Sequence, residues 1–384
     1  MRKLKGMLSE IVMQADMILL AFCCGATLFG LLLIASATRY TGSHRYLIVQ
    51  SAALVLGIIC YAFFSLLDLE QVLKYWKWLL GFNVLLILLL RTPLGLVRGG
   101  NRAWLGVSWF PVQLQPAELV KITFTLLLAK QLSWLREEKN DLRSFRSAAY
   151  IGGHLLLLAG FYVVVSGDVG SSLVFVAIFC AMALVAGVAL RWFWAALLAV
   201  AGGFSFLWFA DKLPDYMKRR FMVLFDHSFD PANAGYQQTR SLAAIGSGRV
   251  TGMGLFHGIR TQSPHSSALP ARHTDFIFSV AGEELGMIGC IAVLAILSLI
   301  IFRCLYVARY ARSETDRYIA VGIAGMLIFQ TVENIGMCLF LMPVIGLTLP
   351  FFSYGGSSIV VTFCAMGLVS GIHKRSRPDW LRPY

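Results

Sequence analysis

Pro343-Val-Ile-Gly-Leu-Thr-Leu-Pro350-Phe-Phe-Ser-Tyr-Gly-Gly-Ser-Ser358 stands where one long apolar run, about 318–342, gives way to another, about 350–372. A plain membrane helix has no use for two prolines, paired glycines and a cluster of hydroxyls. Irregular backbone at membrane depth is tolerated only where it is buried in protein or lines a cavity. The stretch therefore marks a membrane protein and a site together. Working outward, the apolar character recurs in blocks near 20 residues, each long enough to cross about 30 Å of hydrocarbon. Ten spans read out at about 16–36, 46–66, 78–96, 115–132, 148–165, 169–189, 191–210, 276–306, 318–342 and 350–372. The 384 residues are 58% hydrophobic and 14% charged, with mean hydropathy +0.72; soluble domains carry about 25% charge. The expectation is an all-α integral membrane protein. Residues 1–384 form a single polytopic domain of ten transmembrane helices, with one long extracytoplasmic loop, 211–275, between helices 7 and 8. The first span follows only Met1-Arg-Lys-Leu-Lys5 and shows no small-residue cleavage site, so it reads as a retained helix.

Charge sets the expected orientation. With the N-terminus inside, the cytoplasmic segments gather Arg2, Lys3, Lys5, Lys74, Lys77, Lys130, Arg136, Lys139, Arg143, Arg146, Arg191, Arg303, Arg309, Arg312, Arg317, Lys374, Arg375, Arg377 and Arg382. The short outer loops hold only Arg39, Arg45, Arg91, Arg98 and Arg102. Positive-inside bias places both termini in the cytoplasm. The net charge of +13 is then accounted for by topology and anionic lipid, with no nucleic acid implied. All eight cysteines fall in expected spans, as packing residues and not as a disulfide framework.

Several polar residues sit where their presence asks for a reason. Asp275 ends the long loop as the eighth span begins, after Arg272 and His273. A carboxylate there suits a helix N-terminus, and capping is its plain structural account. Glu283 and Glu284 lie roughly 12 Å into the span, where carboxylates are costly unless they face protein or water. Glu118 and Lys121 share a face of the fourth span, as a pair fixing helix packing or as cavity groups. Asp168 reads equally as a cap of the sixth span. The glycine-rich 245–254 lacks the spacing of a dinucleotide fingerprint and the Gly-Lys-Ser/Thr of a P-loop. Its N–H groups, with Arg240, Arg249 and Arg260, suit phosphate. Gln330, Glu333 and Asn334 put a polar stripe inside the ninth span, as interhelical hydrogen bonding would. The seven histidines show no ligand spacing, so no metal residues are assigned.

Taken in order, these stretches resemble the SEDS family (shape, elongation, division and sporulation), membrane glycosyltransferases that include RodA and FtsW. The Asp of the family's His-Thr-Asp-Phe-Ile-Phe segment is its catalytic residue, and Asp275 matches it within His273-Thr-Asp275-Phe-Ile-Phe. The preceding Leu-Pro-Glu reads Leu269-Pro-Ala271 here, so a second carboxylate is missing. Asn101-Arg-Ala-Trp104…Gln115-Pro-Ala-Glu118-Leu-Val-Lys121 resembles N-R-W…Q-P-S-E-x-x-K with Ala117 for Ser, and Ser166-Gly-Asp168-Val-Gly170 keeps the Asp and Gly of Q-P-D-L-G. Tyr236-Gln237-Gln238 and the glycine run resemble the Y-Q-x-x-Q-S…G-S-G loop, altered at Thr239-Arg240. Asn334-Ile-Gly-Met337 looks elongation-type, Gly346-Leu-Thr-Leu-Pro350 division-type. The resemblance implies Asp275 as the catalytic residue. For substrate or cavity it implies Arg102, Glu118, Lys121, Asp168, Gln238, Arg249, His273, Glu283, Glu284, Asn334, Ser353, Gly355, Gly356 and Ser357.

The implied reaction is polymerisation of lipid II, the undecaprenyl-pyrophosphate disaccharide-pentapeptide, into glycan strands at the outer face of the bacterial cytoplasmic membrane. It serves elongation, division or sporulation. A sugar 4-hydroxyl attacks an anomeric carbon while lipid pyrophosphate leaves, with inversion; this needs a base and positive charge at the leaving group. The implied partner is a class B penicillin-binding transpeptidase. A divalent cation, Mg or Mn, at the substrate pyrophosphate is an open expectation. One difficulty is built in: Arg272 and His273 beside Asp275 would hold it ionised as a weak base unless burial offsets them. A flippase for lipid-linked precursors and a non-catalytic cell-wall scaffold remain the alternative readings.

Overall fold

The computed structural model describes residues 15–98, 100–106, 113–139, 141–212, 215–226 and 235–376. The basic residues expected at the two ends, Arg2, Lys3, Lys5, Arg377 and Arg382, lie outside them. In chain order the helices are α1 (Met17–Thr38), α2 (Arg45–Ser65), α3 (Leu69–Lys74) and α4 (Trp76–Leu89). A hairpin of β1 (Gly95–Arg98) and β2 (Asn101–Leu105) follows. Then come α5 (Pro116–Glu137), α6 (Phe145–Ser166, with a π turn at Leu156–Gly160), α7 (Val169–Ala186), α8 (Leu190–Phe209), α9 (Asp215–Phe225) and α10 (Tyr236–Gly248). Last are α11 (Ile277–Arg309), α12 (Glu314–Cys338) and α13 (Gly356–Ser376).

The fold is that of an all-α membrane protein, with one small hairpin among the described residues. Among the described residues eight helices are long and apolar enough to cross a membrane. Two expected spans fall short of that. At about 78–96 the helix stops at Leu89, and Gly95–Arg98 is strand. The fourth, α5, has the length but carries Glu118, Lys121, Lys130, Arg136 and Glu137. The segment expected as one loop at 211–275 holds two helices, and α10 packs along α11. Helix α5 also runs into the charged stretch expected as a connector, ending at Glu137.

Packing follows small residues and buried polar pairs, as expected where lipid gives helices no hydrophobic reason to associate. Helix α12 is the hub, largely buried against α5, α7 and α11. Helix α13 lies along α2, where Gly367 and Gly371, four apart, sit against the backbone of Tyr61 and Ser65. At one end Asp16 caps α1, accepting from Leu19 N. It also pairs with Arg303 at 2.8 Å, while its own N–H donates to Ser370 Oγ and its carbonyl accepts from Tyr61 OH. Four helices are thus fastened at one buried residue, two through its carboxylate and two through its backbone. Helix α8, by contrast, has no buried residue.

Helix α11 is broken once. Gly286 has φ 65° and ψ −158°, and a Cβ there would lie 2.4 Å from Gly252 N and 2.6 Å from Val250 O. Only glycine accepts both the dihedral and the approach. The chain after α10 enters the break: Met287 N and Ile288 N donate to the carbonyls of Arg249 and Val250. In return Met253 N and Gly254 N donate to those of Glu283 and Glu284.

Candidate active site around Asp275 and the 339–355 segment

Between α12 and α13 the chain runs irregularly from 339 to 355. Its polar side chains are what hold it against neighbouring elements. Asn334, fully buried on α12, donates from Nδ2 to Asp275 O and to Leu347 O, each at 2.7 Å. One amide thus ties the residue before α11 to the irregular segment. Ser353 Oγ donates to Thr274 O at 2.6 Å and accepts from Leu349 N, and Tyr354 N donates to His273 O. Gln50 of α2, also fully buried, donates to Ser353 O and accepts from Gly355 N, both at 3.1 Å. Gly346, at φ 74°, comes close to the carboxylate: a Cβ there would lie 3.9 Å from Asp275 Oδ2. Residues 273–275 and 346–355 are therefore one construction.

Asp275 itself is half-buried. Burial pushes its carboxyl up from the ordinary value to about 6, partly opposed by a hydrogen bond from Thr274. The expected depression by Arg272 does not arise, because that guanidinium turns away. It donates to the carbonyls of Arg260, Thr261, Ser263 and His265 and stacks on Tyr40 at 3.9 Å. His273 is pushed below its ordinary value by burial and by Arg272, and its ring packs against Tyr46 (4.9 Å) and Tyr354 (5.8 Å). Desolvation thus decides the sign: the environment suits a neutral imidazole beside a carboxyl that titrates near pH 6.

At the other end of the same segment, Ser358 Oγ on α13 approaches Glu118 Oε2 at 3.4 Å, and Lys121 Nζ bonds Glu118 Oε1 at 2.8 Å. Lys121 is 1% exposed and Glu118 7%, so the pair is a desolvated one on the face of α5 turned to α13. Gly355, Gly356 and Ser357 form the turn and first residues of α13 beside it. Asp275, His273, Asn334, Ser353, Glu118 and Lys121 are thus brought to one segment.

Other expected site residues have structural partners instead. Arg102 Nε and Nη2 donate to Gly95 O and Thr92 O, closing the hairpin. Asp168 caps α7: Oδ1 accepts from Ser171 N, and Oδ2 from Ser171 Oγ and Gln115 Nε2. The next turn of α7 does reach the irregular segment, since a Cβ on Gly170 would lie 2.4 Å from Ile345 O. Gln238 holds the end of α12, donating to Met337 O and Met342 O. Arg249 is exposed at the α10 terminus.

Glu283 and Glu284 are fully buried and take N–H groups of residues 256–261, just after the glycine-rich 245–254 whose N–H groups were expected to meet phosphate. Glu283 accepts from Arg260 N, Thr261 N and Thr261 Oγ1 at 2.6–2.8 Å. Glu284 accepts from Phe256 N, Gly258 N, Ser36 Oγ and Gln262 Nε2. The loop after α10 is an anion cradle whose anions are the protein's own.

One group was passed over. Glu333, read from the sequence as interhelical glue, is 3% exposed, and neither carboxylate oxygen has a partner among the described residues. It interacts electrostatically with Asp275. Asn334 Oδ1 and His273 Nδ1 are buried and unpartnered as well. The signal was in the sequence: a Glu next to the Asn that anchors Asp275. Among the described residues no three His, Cys, Asp or Glu side chains form a metal cluster. The donor set at this place is two carboxylates and an amide oxygen.

A bundle of membrane helices, with a buried carboxyl held at the mouth of a broken helix by an irregular proline- and glycine-rich segment, defines a polytopic membrane protein of enzyme-like architecture. The chain belongs to the FtsW/RodA/SpoVE family, whose model, described as cell cycle protein, matches residues 14–378. It is 31% identical to stage V sporulation protein E of Bacillus subtilis (94% of this chain, 98% of the relative). To the probable peptidoglycan glycosyltransferase FtsW of Geobacter metallireducens it is 32% identical (94% and 95%). To the peptidoglycan glycosyltransferase MrdB of Escherichia coli K12 it is 33% identical (79% and 79%). Among solved structures it resembles a chain from a study of polymerization and crosslinking by a peptidoglycan synthase complex, with TM-score 0.80 and 30% identity over 95% of this chain and 99% of that one. It also resembles the rod shape determining protein RodA of Thermus thermophilus, with TM-score 0.68 and 28% identity over 95% and 98%.

Proposed function

We propose that the chain is a peptidoglycan glycosyltransferase that polymerises lipid II into glycan strands, inverting the anomeric centre. The observation that carries the reading is Asp275: a carboxyl raised by burial to about 6, fixed by its backbone through Asn334 and facing the Gly346 turn. In this reading Asp275 accepts the proton of the sugar 4-hydroxyl as that oxygen attacks the anomeric carbon and lipid pyrophosphate departs. A base near 6 is ionised at neutral pH yet stronger than an ordinary Asp. Lys121 is the buried cation of the segment, and its charge is shared with Glu118. A divalent cation would be held by Asp275 and Glu333 with the Asn334 amide oxygen. When bound it would supply positive charge to the pyrophosphate. The reaction would take place at the outer face of the cytoplasmic membrane with both termini inside, beside a class B penicillin-binding transpeptidase. The likeness to a chain of a peptidoglycan synthase complex supports that partnership.

The test is strand formation from purified lipid II by the wild type and Asp275→Ala, each with a co-expressed transpeptidase. Polymer from the wild type and a loss of more than about 100-fold in the folded variant is the expected result. No polymer from an intact wild-type complex overturns the polymerase. Equal polymer from both removes Asp275 from the chemistry.

A further inference from the structure

A cavity of about 570 Å3 opens where α4 begins, α5 ends and α6 begins, and it shares no lining residue with the Asp275 site. Its walls are mostly apolar, with Leu80, Leu127 and Leu157 from the three helices, and its polar wall groups Gln131 and His154 bond each other at 2.8 Å. Its rim carries Trp76, Trp134 and Tyr150, and its one charged lining group is Lys130. Leu157 is 50% exposed and Tyr150 56%, so the groove is open to the surroundings of the helices.

The groove has a cause in the elements. Helix α4 has 14 residues, roughly 21 Å at 1.5 Å per residue, short of a hydrocarbon layer. It leaves the sides of α5 and α6 uncovered near one end. Amphipathic Trp and Tyr rings belong at the headgroup level of a membrane. Here they are attended by lysines: Lys77 Nζ lies 5.7 Å from the Trp76 ring, Lys130 Nζ 6.0 Å from the same ring, and Lys139 Nζ 4.6 Å from that of Trp134. No acidic side chain lines the cavity. An apolar slot with aromatic edges and cations at one end complements a chain with a negative head.

We propose that this groove seats one anionic glycerophospholipid, its phosphate against Lys130 and Lys77 and one acyl chain between Leu80, Leu127 and Leu157. The site is independent of the reaction at Asp275. It makes a lipid of the membrane a fixed part of the α4–α5–α6 packing.

Gly153 provides a sharp test. It lines the groove, and a Cβ built on it meets no atom within 4 Å. Gly153→Leu therefore occupies the slot while replacing a poor helix former with a good one. The full chain in detergent, given equal amounts of phosphatidylglycerol and chain-matched phosphatidylcholine, is read by native mass spectrometry. The expected result is one retained phosphatidylglycerol on the wild type and none on Gly153→Leu, with an unlowered thermal midpoint. For Lys130→Gln, which keeps a donor for Leu73 O, retention falls roughly five-fold, the share of one lysine near an anionic head. Equal retention of the two lipids overturns the proposal. So does phosphatidylglycerol held undiminished by Gly153→Leu, or its displacement by undecaprenyl phosphate, which would assign the groove to a polyprenyl carrier. If Gly153→Leu fails to fold, undiminished retention by Lys130→Gln is the overturning result.

Discussion

At Asp275 two influences compete, and their balance sets a pH dependence. Charge from Arg272 was expected to lower the carboxyl, and burial to raise it. The guanidinium is spent on four carbonyls and burial prevails, at about 6. Polymer formation by the wild type is accordingly expected to rise as pH climbs through about 6 and to level above it. Initial rates between pH 5 and 8 check this. The same shift acts on stability with a definite sign. A carboxyl whose folded value exceeds its unfolded one penalises the fold once ionised, fully above about 6 and not at all below about 4. Asp275→Asn removes that penalty. Its thermal midpoint in detergent is expected to exceed the wild type's by a few degrees at pH 7.5, with no difference near pH 4. The position of Asp275 was legible because it stands at a loop-to-span boundary. The orientation of Arg272 was not, since the carbonyls that capture it come from residues 260–265, whose path no periodicity encodes. Glu283 and Glu284 were singled out correctly as costly. Their partners are N–H groups of a loop without a pattern, and so they read as cavity groups.

Among the elements, α11 and the chain that enters its break behave as a unit. Gly286→Ala puts a methyl 2.4 Å from Gly252 N at a positive φ. Strain and clash together are expected to cost more than about 2 kcal/mol. Faster cleavage of 249–275 in limited proteolysis is the readout. Equal cleavage of variant and wild type would mean that the loop holds without the break. Glu284→Gln addresses the same unit from its side chain. It weakens charge-assisted bonds to Phe256 N, Gly258 N and Ser36 Oγ, each worth about 1.5–3 kcal/mol, and should raise cleavage there as well. Helix positions were readable from apolar runs, so most ends fall within a few residues of expectation. The break was not, because Gly282-Glu-Glu-Leu-Gly286 marks a polar interruption of the span without stating that Gly286 takes a positive φ. Helix α4 was overestimated for another reason: Leu94 to Val97 are apolar enough to extend a span by composition, yet they pair as strand with 101–105.

For the molecule as a whole, the bundle is centred on α12 and fastened at one end by Asp16. That carboxylate is 1% exposed and meets Arg303 through two bonds, 2.8 and 3.1 Å. Removing one partner leaves a charge unpaired in the interior, so Asp16→Asn is expected to cost about 3–5 kcal/mol. The thermal midpoint in detergent measures it, and Asp16→Asn combined with Arg303→Gln should recover part of the loss. The existence of a membrane bundle was plain from composition. The pairing of its first helix with its eleventh and thirteenth was not, because nothing local in Ala15-Asp16-Met17 names a partner so remote. That remoteness has a meaning in time. Asp16 and Arg303 are 287 positions apart, and at about 5–20 residues per second of synthesis the wait between them is roughly 14–60 s. During that interval the first helix is already made while its counter-charge does not yet exist. The growing chain must carry an unmatched acid at a membrane boundary until Arg303 emerges.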